Sequence, residues 1–143
     1  MVRVQANREL IFMDSDLYRP RMTVEKEKLY SQFPGFSFYS SGDRPSSIKG
    51  YLRTNFGNSY YVRISIPDGY PYSIPRITLP YHTIDASCPH KYSDKEICVM
   101  KTEQWTSVYS LAFVVARTAI WLNKYDEWKS KGKRRWPGKD QHR

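Results

Sequence analysis

The sequence contains few cysteines, few glycines and no long apolar run, and each shortage excludes a class of protein. Two cysteines, Cys88 and Cys98, are too few for the disulfide framework of a small secreted domain. Seven glycines and nine prolines, scattered along the chain, exclude a collagen-like or low-complexity protein. The longest apolar run, residues 111–116, is far shorter than the ~20 residues that a helix needs to cross a bilayer. We therefore expect no membrane span and no membrane partner.

The remaining composition is typical of a single folded domain. The chain has 143 residues, within the ~100–200 that single domains commonly have. A hydrophobic fraction of 40% and an aromatic fraction of 15% argue against a disordered basic protein. The first residues lack the apolar core of a secretory signal, so we expect a cytoplasmic location.

Positive charge is concentrated near the end of the chain. The formal net charge is +9, and residues 124–143 contribute +5 of it from eight basic and three acidic side chains. A basic excess can indicate nucleic acid, an acidic membrane or an acidic protein partner. Because more than half of it lies in one short segment, we predict a folded domain over 1–130, with 1–20 as an N-terminal arm. Residues 131–143 then form a basic tail for docking or solubility.

Periodicity along the chain predicts an α+β fold. Helical spacing covers residues 23–33, and a second, longer helical pattern covers 107–129. Between them, four extended segments separated by turn residues predict a four-stranded antiparallel meander: 36–39, 48–54, 60–66 and 76–79. Residues 80–96 show little periodicity, and loops of that length in a compact domain are usually functional.

Two segments carry the chemical signal. Residues 66–75 contain three prolines and a glycine, so this run must leave the sheet and follow a fixed extended path. Residues 88–98 end at Cys98, which is flanked by Ile97 and Val99 just before the long helix. A nucleophile needs a rigid support and an open face, and a loop anchored by apolar neighbours supplies both.

These segments together resemble the ubiquitin-conjugating enzymes. The run Tyr70-Pro71-x-x-x-Pro75 is similar to the Tyr-Pro…Pro signature of that family. The run Cys88-Pro89-His90-x-Tyr92…Ile97-Cys98-Val99 is similar to its His-Pro-Asn-x-Tyr…Ile-Cys-Leu segment. The resemblance covers roughly residues 23–128. It implies the UBC fold, a meander flanked by helices, and it implies transfer of a protein's C-terminal acyl group through a cysteine thioester to an amine.

The resemblance also assigns roles to individual residues. Cys98 falls on the catalytic cysteine, and His90 falls on the motif asparagine, which stabilises the tetrahedral oxyanion in the family. A histidine could in addition act as a base for the incoming amine. Tyr92, Lys101 and Trp105 are predicted to support the site, and positive charge from His90, Lys91, Lys95 and Lys101 would favour the thiolate. No cofactor and no metal is expected.

The end of the chain is similar to a bacterial branch of the family. The pattern Trp121-Leu122-x-x-Tyr125-x-x-Trp128, followed by Trp136-Pro137-Gly138 and His142, resembles stand-alone members from antiphage defence operons of the cyclic-oligonucleotide signalling (CBASS) type. The partner implied there is a cGAS-like nucleotidyltransferase, joined through its C-terminus. The sequence departs from the wider family at Cys88, His90 and Lys95, where the family usually has His, Asn and Gly.

Other interpretations stay open beside this one. Cys98 could be a buried packing cysteine, and the domain a silent UBC-like scaffold. A basic nucleic-acid-binding domain is less favoured, because no nucleic-acid motif is present. The spacing His-x₅-Cys-x-His-x₇-Cys over His82, Cys88, His90 and Cys98 does not fit a zinc site. Cys88 and the helical aromatics Trp121, Tyr125 and Trp128 are expected to pack in the core.

Overall fold

The computed structural model describes residues 18–138 as two helices and one antiparallel sheet. The elements follow the chain in the order α1 (Tyr18–Gln32), β1 (Ser37–Ser41), β2 (Arg44–Arg53), β3 (Ser59–Ser65), β4 (Arg76–Thr78), β5 (Glu96–Ile97) and α2 (Leu111–Ser130). A short 3₁₀ turn, Thr102–Gln104, precedes α2. The predicted N-terminal arm and His142 lie outside the described residues, apart from the last residues of the arm. No helix in the described part has the length and apolar character to cross a membrane.

The sheet is a meander in which each strand pairs with the next one in sequence. This confirms the predicted α+β class and antiparallel order, but the number of strands is five rather than four. The additional strand, β5, has two residues and pairs with β4, Ile77 opposite Ile97. A strand of two residues is too short to show alternation in the sequence. β5 is therefore recognised only from its pairing with β4 in the structure.

Alternation along β3 and the residue after it sets which face of the sheet is buried. Tyr60, Val62, Ile64 and Ile66 are all buried in the core. Their cross-strand neighbours on β2, Ile48 and Gly50, are buried as well. The core lies between this inner face and the helices, and includes Leu29, Leu79, Ile84, Leu111, Val115, Leu122 and Tyr125.

The bounds of both helices differ from those that the periodicity indicated. Helix α1 already includes Tyr18, the first residue that the structure describes and five residues before the predicted start. Helix α2 begins four residues later than predicted. Its N-cap is Ser110, whose side chain accepts a hydrogen bond from the Phe113 amide at 3.0 Å.

A buried carboxylate fastens the start of α2 to α1. Glu25 accepts hydrogen bonds from the Leu111 amide and the Arg21 Nε, both at 2.8 Å, and from the Tyr70 hydroxyl. Arg21 also donates to the Ser107 and Tyr109 carbonyls at 2.6 and 2.7 Å. An anionic group at a helix N-terminus is favourable because unpaired amides and the helix dipole meet it there. The proline-rich segment is thereby joined to both helices.

Candidate active site

The segment from His90 to Cys98 folds back on itself and ends beside the sheet. The Cys98 amide donates to the His90 carbonyl at 2.9 Å, and the Tyr92 amide donates to the Glu96 carbonyl at 2.8 Å. Lys91 and Ile97 form an isolated antiparallel bridge between these two bonds. The backbone therefore holds His90 opposite Cys98, the two residues that the sequence selected.

The Cys98 side chain is largely covered but lies at the wall of a groove. The residue is 9% exposed. Its Sγ lies 3.3 Å from the Tyr92 hydroxyl and 3.4 Å from the Met100 carbonyl oxygen, and the thiol can donate to either. The sulfur is thus held by two oxygen atoms on a loop that β5 anchors.

The groove has a volume of about 310 Å³ and joins the two motif segments. One wall is the end of the proline-rich segment with β4, and the other is the chain around Cys98 with Tyr92 and Thr102. Its lining consists of Ile74, Pro75, Arg76, Ile77, Tyr92, Glu96, Ile97, Cys98, Val99, Met100 and Thr102. A group bound in this groove would lie beside Cys98.

Trp105 connects the same two segments on the other side of the loop. Its indole Nε1 donates to the Pro71 carbonyl at 2.8 Å, and its ring lies 6.2 Å from that of Tyr70. Trp105 therefore fixes the proline-rich segment against the chain that follows Cys98. A supporting role for Trp105 stays a prediction, and these contacts are consistent with it.

His90 is held in an unusual backbone conformation. Its φ is +60°, in the left-handed region that residues other than glycine rarely adopt. Besides the Cys98 amide, its carbonyl accepts a hydrogen bond from Trp121 Nε1 at 3.0 Å. The imidazole packs against the Trp136 ring, with 5.3 Å between centroids. Strained residues of this kind cluster at functional sites, where surrounding contacts must maintain them.

The other predicted supporting residues differ in their position. Tyr92 is 58% exposed, and its hydrogen bond with Cys98, followed by partial desolvation, raises the pKa of its hydroxyl. Lys101 is half-buried, and its amide donates to the Gln104 side chain at 2.8 Å. The Lys95 ammonium donates to the His82 carbonyl and the Thr83 hydroxyl, so its charge is held at the start of the long loop.

Cys88 is a packing residue, as the sequence predicted. It is 5% exposed, and burial raises the pKa of its thiol to about 12. Its Sγ donates to the Pro89 carbonyl at 3.1 Å. Among residues 18–138, no three or more His, Cys, Asp or Glu side chains are grouped so that they could hold a metal ion.

Sequence reasoning missed an ion pair at the margin of the groove. Arg76 on β4 makes two hydrogen bonds to the Glu96 carboxylate, at 2.8 and 2.6 Å. Glu96 is buried, and it lies two residues before Cys98. The sequence did contain a signal for this ion pair. An acidic residue directly before the apolar Ile97 is unusual in a strand that packs on the core, because acidic residues are seldom buried unless they are paired.

The first part of the basic tail also contacts the site, which the sequence did not indicate. Trp136 packs on His90, Trp121 and Trp128. Lys133 forms an ion pair with Asp85 in the long loop, and its amide donates to the Trp128 carbonyl at 2.8 Å. Residues 131–138 therefore return to the loop that carries His90. The predicted core positions of Trp121, Tyr125 and Trp128 are confirmed.

Comparisons with known proteins identify a family and a similar fold. A family model described as "Type II CBASS E2 protein" matches residues 25–143. Among solved structures, the chain is similar to the ubiquitin-conjugating enzyme E2 UbcA1 from Agrocybe aegerita, with a TM-score of 0.51 and 17% identity over 87% of this chain and 85% of that one. No curated protein matches the sequence.

The two findings carry different weight. At 17% identity, the structural likeness shows the UBC fold alone. The family match supports a ubiquitin-conjugating-like role with a protein partner in a CBASS system. Because that match covers most of the sequence, from residue 25 to residue 143, the chain belongs to the type II CBASS E2 family.

Proposed function

We propose that the protein is a cysteine-dependent acyltransferase that carries the C-terminal acyl group of a partner protein as a thioester on Cys98. The observation that best supports this is the position of Cys98 in the lining of a groove of about 310 Å³ that joins the two motif segments. The loop that carries Cys98 is held by β5 and by the bond from its amide to His90. A nucleophile on such a support keeps its geometry when the acyl chain enters.

The proposed reaction has two steps that balance. In the first, the Cys98 thiolate attacks the carbonyl carbon of an activated acyl donor, such as an acyl adenylate or another thioester. The new C–S bond forms as the leaving group departs with the electrons of its own bond. In the second, an amine attacks the Cys98 thioester. The amide bond forms, the C–S bond breaks, and the Cys98 thiol is regenerated once the nitrogen has lost a proton.

His90 and Tyr92 are the side chains that we propose to assist. In the described state the thiol can donate to the Tyr92 hydroxyl, and when the thiol has ionised that hydroxyl can turn and donate to the thiolate instead. His90, held opposite Cys98, is proposed to donate to the oxyanion of the tetrahedral intermediate, or to accept the proton of the incoming amine.

The partner that we propose is a cGAS-like nucleotidyltransferase, through its C-terminal carboxyl group. Support comes from the membership of the type II CBASS E2 family, together with the aromatic pattern on α2 and at Trp136 that resembles the bacterial branch. We further propose that this chemistry takes place in the cytoplasm of a bacterium.

An adduct assay tests the proposal. The protein is incubated with the nucleotidyltransferase of its operon and an activating enzyme, and a gel without reductant is searched for a species of summed mass. We expect the species with the wild type and with Cys88→Ala, which serves as the matched control, but not with Cys98→Ala. Binding of the two proteins without any adduct would instead support the silent scaffold.

A further inference from the structure

The outer face of the sheet is rich in tyrosine and basic side chains. Strand alternation places on it the residues that point away from the core. On β1 to β3 these include Tyr39, Lys49, Tyr51, Arg53, Tyr61 and Arg63. Tyr51 and Tyr61 are directly opposed across β2 and β3, and Tyr81 follows β4. The acyl-transfer chemistry proposed above uses none of these residues.

The tyrosines form a connected and accessible aromatic cluster. Tyr51 is 64% exposed and Tyr81 is 81% exposed. The Tyr61 ring lies between them, 4.9 Å from the centroid of Tyr51 and 5.3 Å from that of Tyr81. Monomeric soluble proteins seldom expose large contiguous aromatic surface without a function for it. Flat rings in this arrangement offer faces on which planar groups can stack.

The charge on this face is almost entirely positive. Glu96 is the only acidic residue in the five described strands, and Arg76 neutralises it. Lys49, Arg53 and Arg63 have no acidic neighbour within the strands, and the Lys49 ammonium lies 4.4 Å from the centroid of the Tyr39 ring. The sheet face therefore carries a positive charge of its own, separate from that of the basic tail.

A hollow of about 340 Å³ borders the tyrosine cluster and reaches from the sheet to the last turn of α2. Its lining combines the aromatic rings with polar groups and one lysine: Tyr51, Asn58, Ser59, Tyr60, Tyr61, Tyr81, His82 and Lys129. A planar base could lie against the rings of Tyr51 or Tyr81 while its phosphate faces Lys129.

We propose that this face binds single-stranded nucleic acid, with bases stacked on Tyr51, Tyr61 and Tyr81. Phosphates would be held by Lys49, Arg53 and Arg63 on the face and by Lys129 of α2 at its margin. Aromatic rings on a sheet, bordered by basic side chains, are the arrangement with which proteins bind single strands without sequence preference. An acidic protein is the alternative that the same charges would attract, and the polyglutamate comparison below tests for it. The sequence did not favour nucleic acid, because it contains no nucleic-acid motif. Strand pairing, and not chain order, brings these residues together.

Fluorescence anisotropy of labelled single strands tests the proposal. Oligodeoxythymidine and oligouridine are titrated separately with the full-length protein, which distinguishes DNA from RNA. We expect either strand to bind, and Tyr51→Ala and Tyr81→Ala each to weaken binding by roughly 5- to 150-fold, the usual effect of removing one stacking ring. Arg63→Gln should weaken binding and reduce the slope of log affinity against log salt by about 0.7.

Control variants outside this face test whether other exposed basic or aromatic residues bind the strands. Tyr30→Ala removes an exposed tyrosine of α1, and Lys28→Gln removes an exposed cation of the same helix. Both should bind the strands like the wild type. The adduct assay on Tyr51→Ala should give wild-type yield, so that failure of nucleic-acid binding and failure of acyl transfer are distinguished.

Three results would overturn the proposal. The first is the absence of binding to either strand at about 50 mM salt, where phosphate contacts are strong. The second is wild-type affinity in Tyr51→Ala and Tyr81→Ala together with loss of affinity in Arg134→Gln, which would assign binding to the tail. The third is equally tight binding of polyglutamate, which would show plain attraction of acidic chains.

Discussion

At the scale of single residues, the two cysteines differ in what their sulfur atoms contact. The Cys88 thiol is enclosed, donates to its neighbour's carbonyl, and has a pKa raised to about 12 by burial. The Cys98 sulfur lies at a groove and contacts the exposed Tyr92 hydroxyl. Both cysteines are largely buried, but Cys98 lines a groove, and a buried thiol reacts only where a substrate can reach it. This contrast is the physical basis for assigning acyl transfer to Cys98.

The role proposed for His90 predicts a split between the two steps. In His90→Ala, we expect transfer to the amine to slow by about 10²–10³, the usual effect of losing one oxyanion donor. Formation of the Cys98 thioester should slow less. Single-turnover kinetics of the two steps measure this, with the thioester isolated before the amine is added.

His90→Asn is the control for backbone strain. Asparagine adopts positive φ more readily than alanine and still offers a donor. If it restores transfer, His90 acts as a hydrogen-bond donor; if it is as slow as His90→Ala, the imidazole acts as a base. Unchanged rates of both steps in His90→Ala would contradict either role.

His82 predicts part of the pH dependence of stability. Burial, followed by the charges of Lys129 and Lys95, lowers the pKa of His82 below its usual value near 6.5. As the pH falls below 6.5, the unfolded chain takes up a proton that the native imidazole resists, so stability is lost until the lower native pKa is reached. We expect the midpoint of denaturation to fall as the pH is lowered from about 7 to about 5, and to fall more steeply for the wild type than for His82→Gln. Parallel curves would contradict this.

At the scale of elements, β2 packs against the connection between α1 and β1 at a position where only glycine fits. A Cβ on Gly50 of β2 would lie 2.6 Å from the buried Phe36 ring and 2.9 Å from the Gly35 carbonyl oxygen. No flexible side-chain end is available to move, since one neighbour is backbone and the other is a core ring. The position of β2 against this connection therefore depends on the missing side chain at Gly50.

Gly50→Ala should consequently destabilise the fold. We expect the free energy of unfolding to fall by about 1–3 kcal/mol, the usual cost of overpacking a core. Gly35→Ala is the matched control, because a Cβ added there would meet nothing within 4 Å and no such loss is expected. Urea unfolding followed by tryptophan fluorescence measures both variants. Equal stability of the two variants would show that the sheet relaxes freely at Gly50.

At the scale of the whole molecule, the site is formed by parts of the chain that are distant in sequence. The sequence could predict its local patterns but not the contacts between these distant parts. Alternation from Tyr60 to Ile66 is a local pattern, and the four alternating side chains are buried. The spacing from His90 to Cys98 is also local, and a backbone hydrogen bond brings these two residues together. The bond from Glu25 to the Leu111 amide joins residues 86 apart. Contacts of this kind follow from packing geometry and leave no periodic signal in the chain.

The return of Trp136 to His90 is the long-range contact with the clearest consequence. The Trp136 ring contacts the rings of His90, Trp121 and Trp128. Removal of the Trp136 ring should therefore loosen the loop that holds His90. We expect Trp136→Ala to slow transfer to the amine, by less than His90→Ala does, and Trp136→Phe to retain most of the rate. The adduct assay with timed addition of amine measures this. A wild-type rate in Trp136→Ala would show that the tail does not position His90.

The central claim is that Cys98 itself carries the acyl group, and intact mass spectrometry of Cys98→Ser tests it most directly. A serine at this position would form an oxygen ester, which resists thiols but is cleaved by hydroxylamine. We predict a product whose mass is the sum of the two proteins less one water, with the acyl group mapped to residue 98. The same product in Cys98→Ala, or an acyl group mapped to Cys88 in the wild type, would contradict the claim.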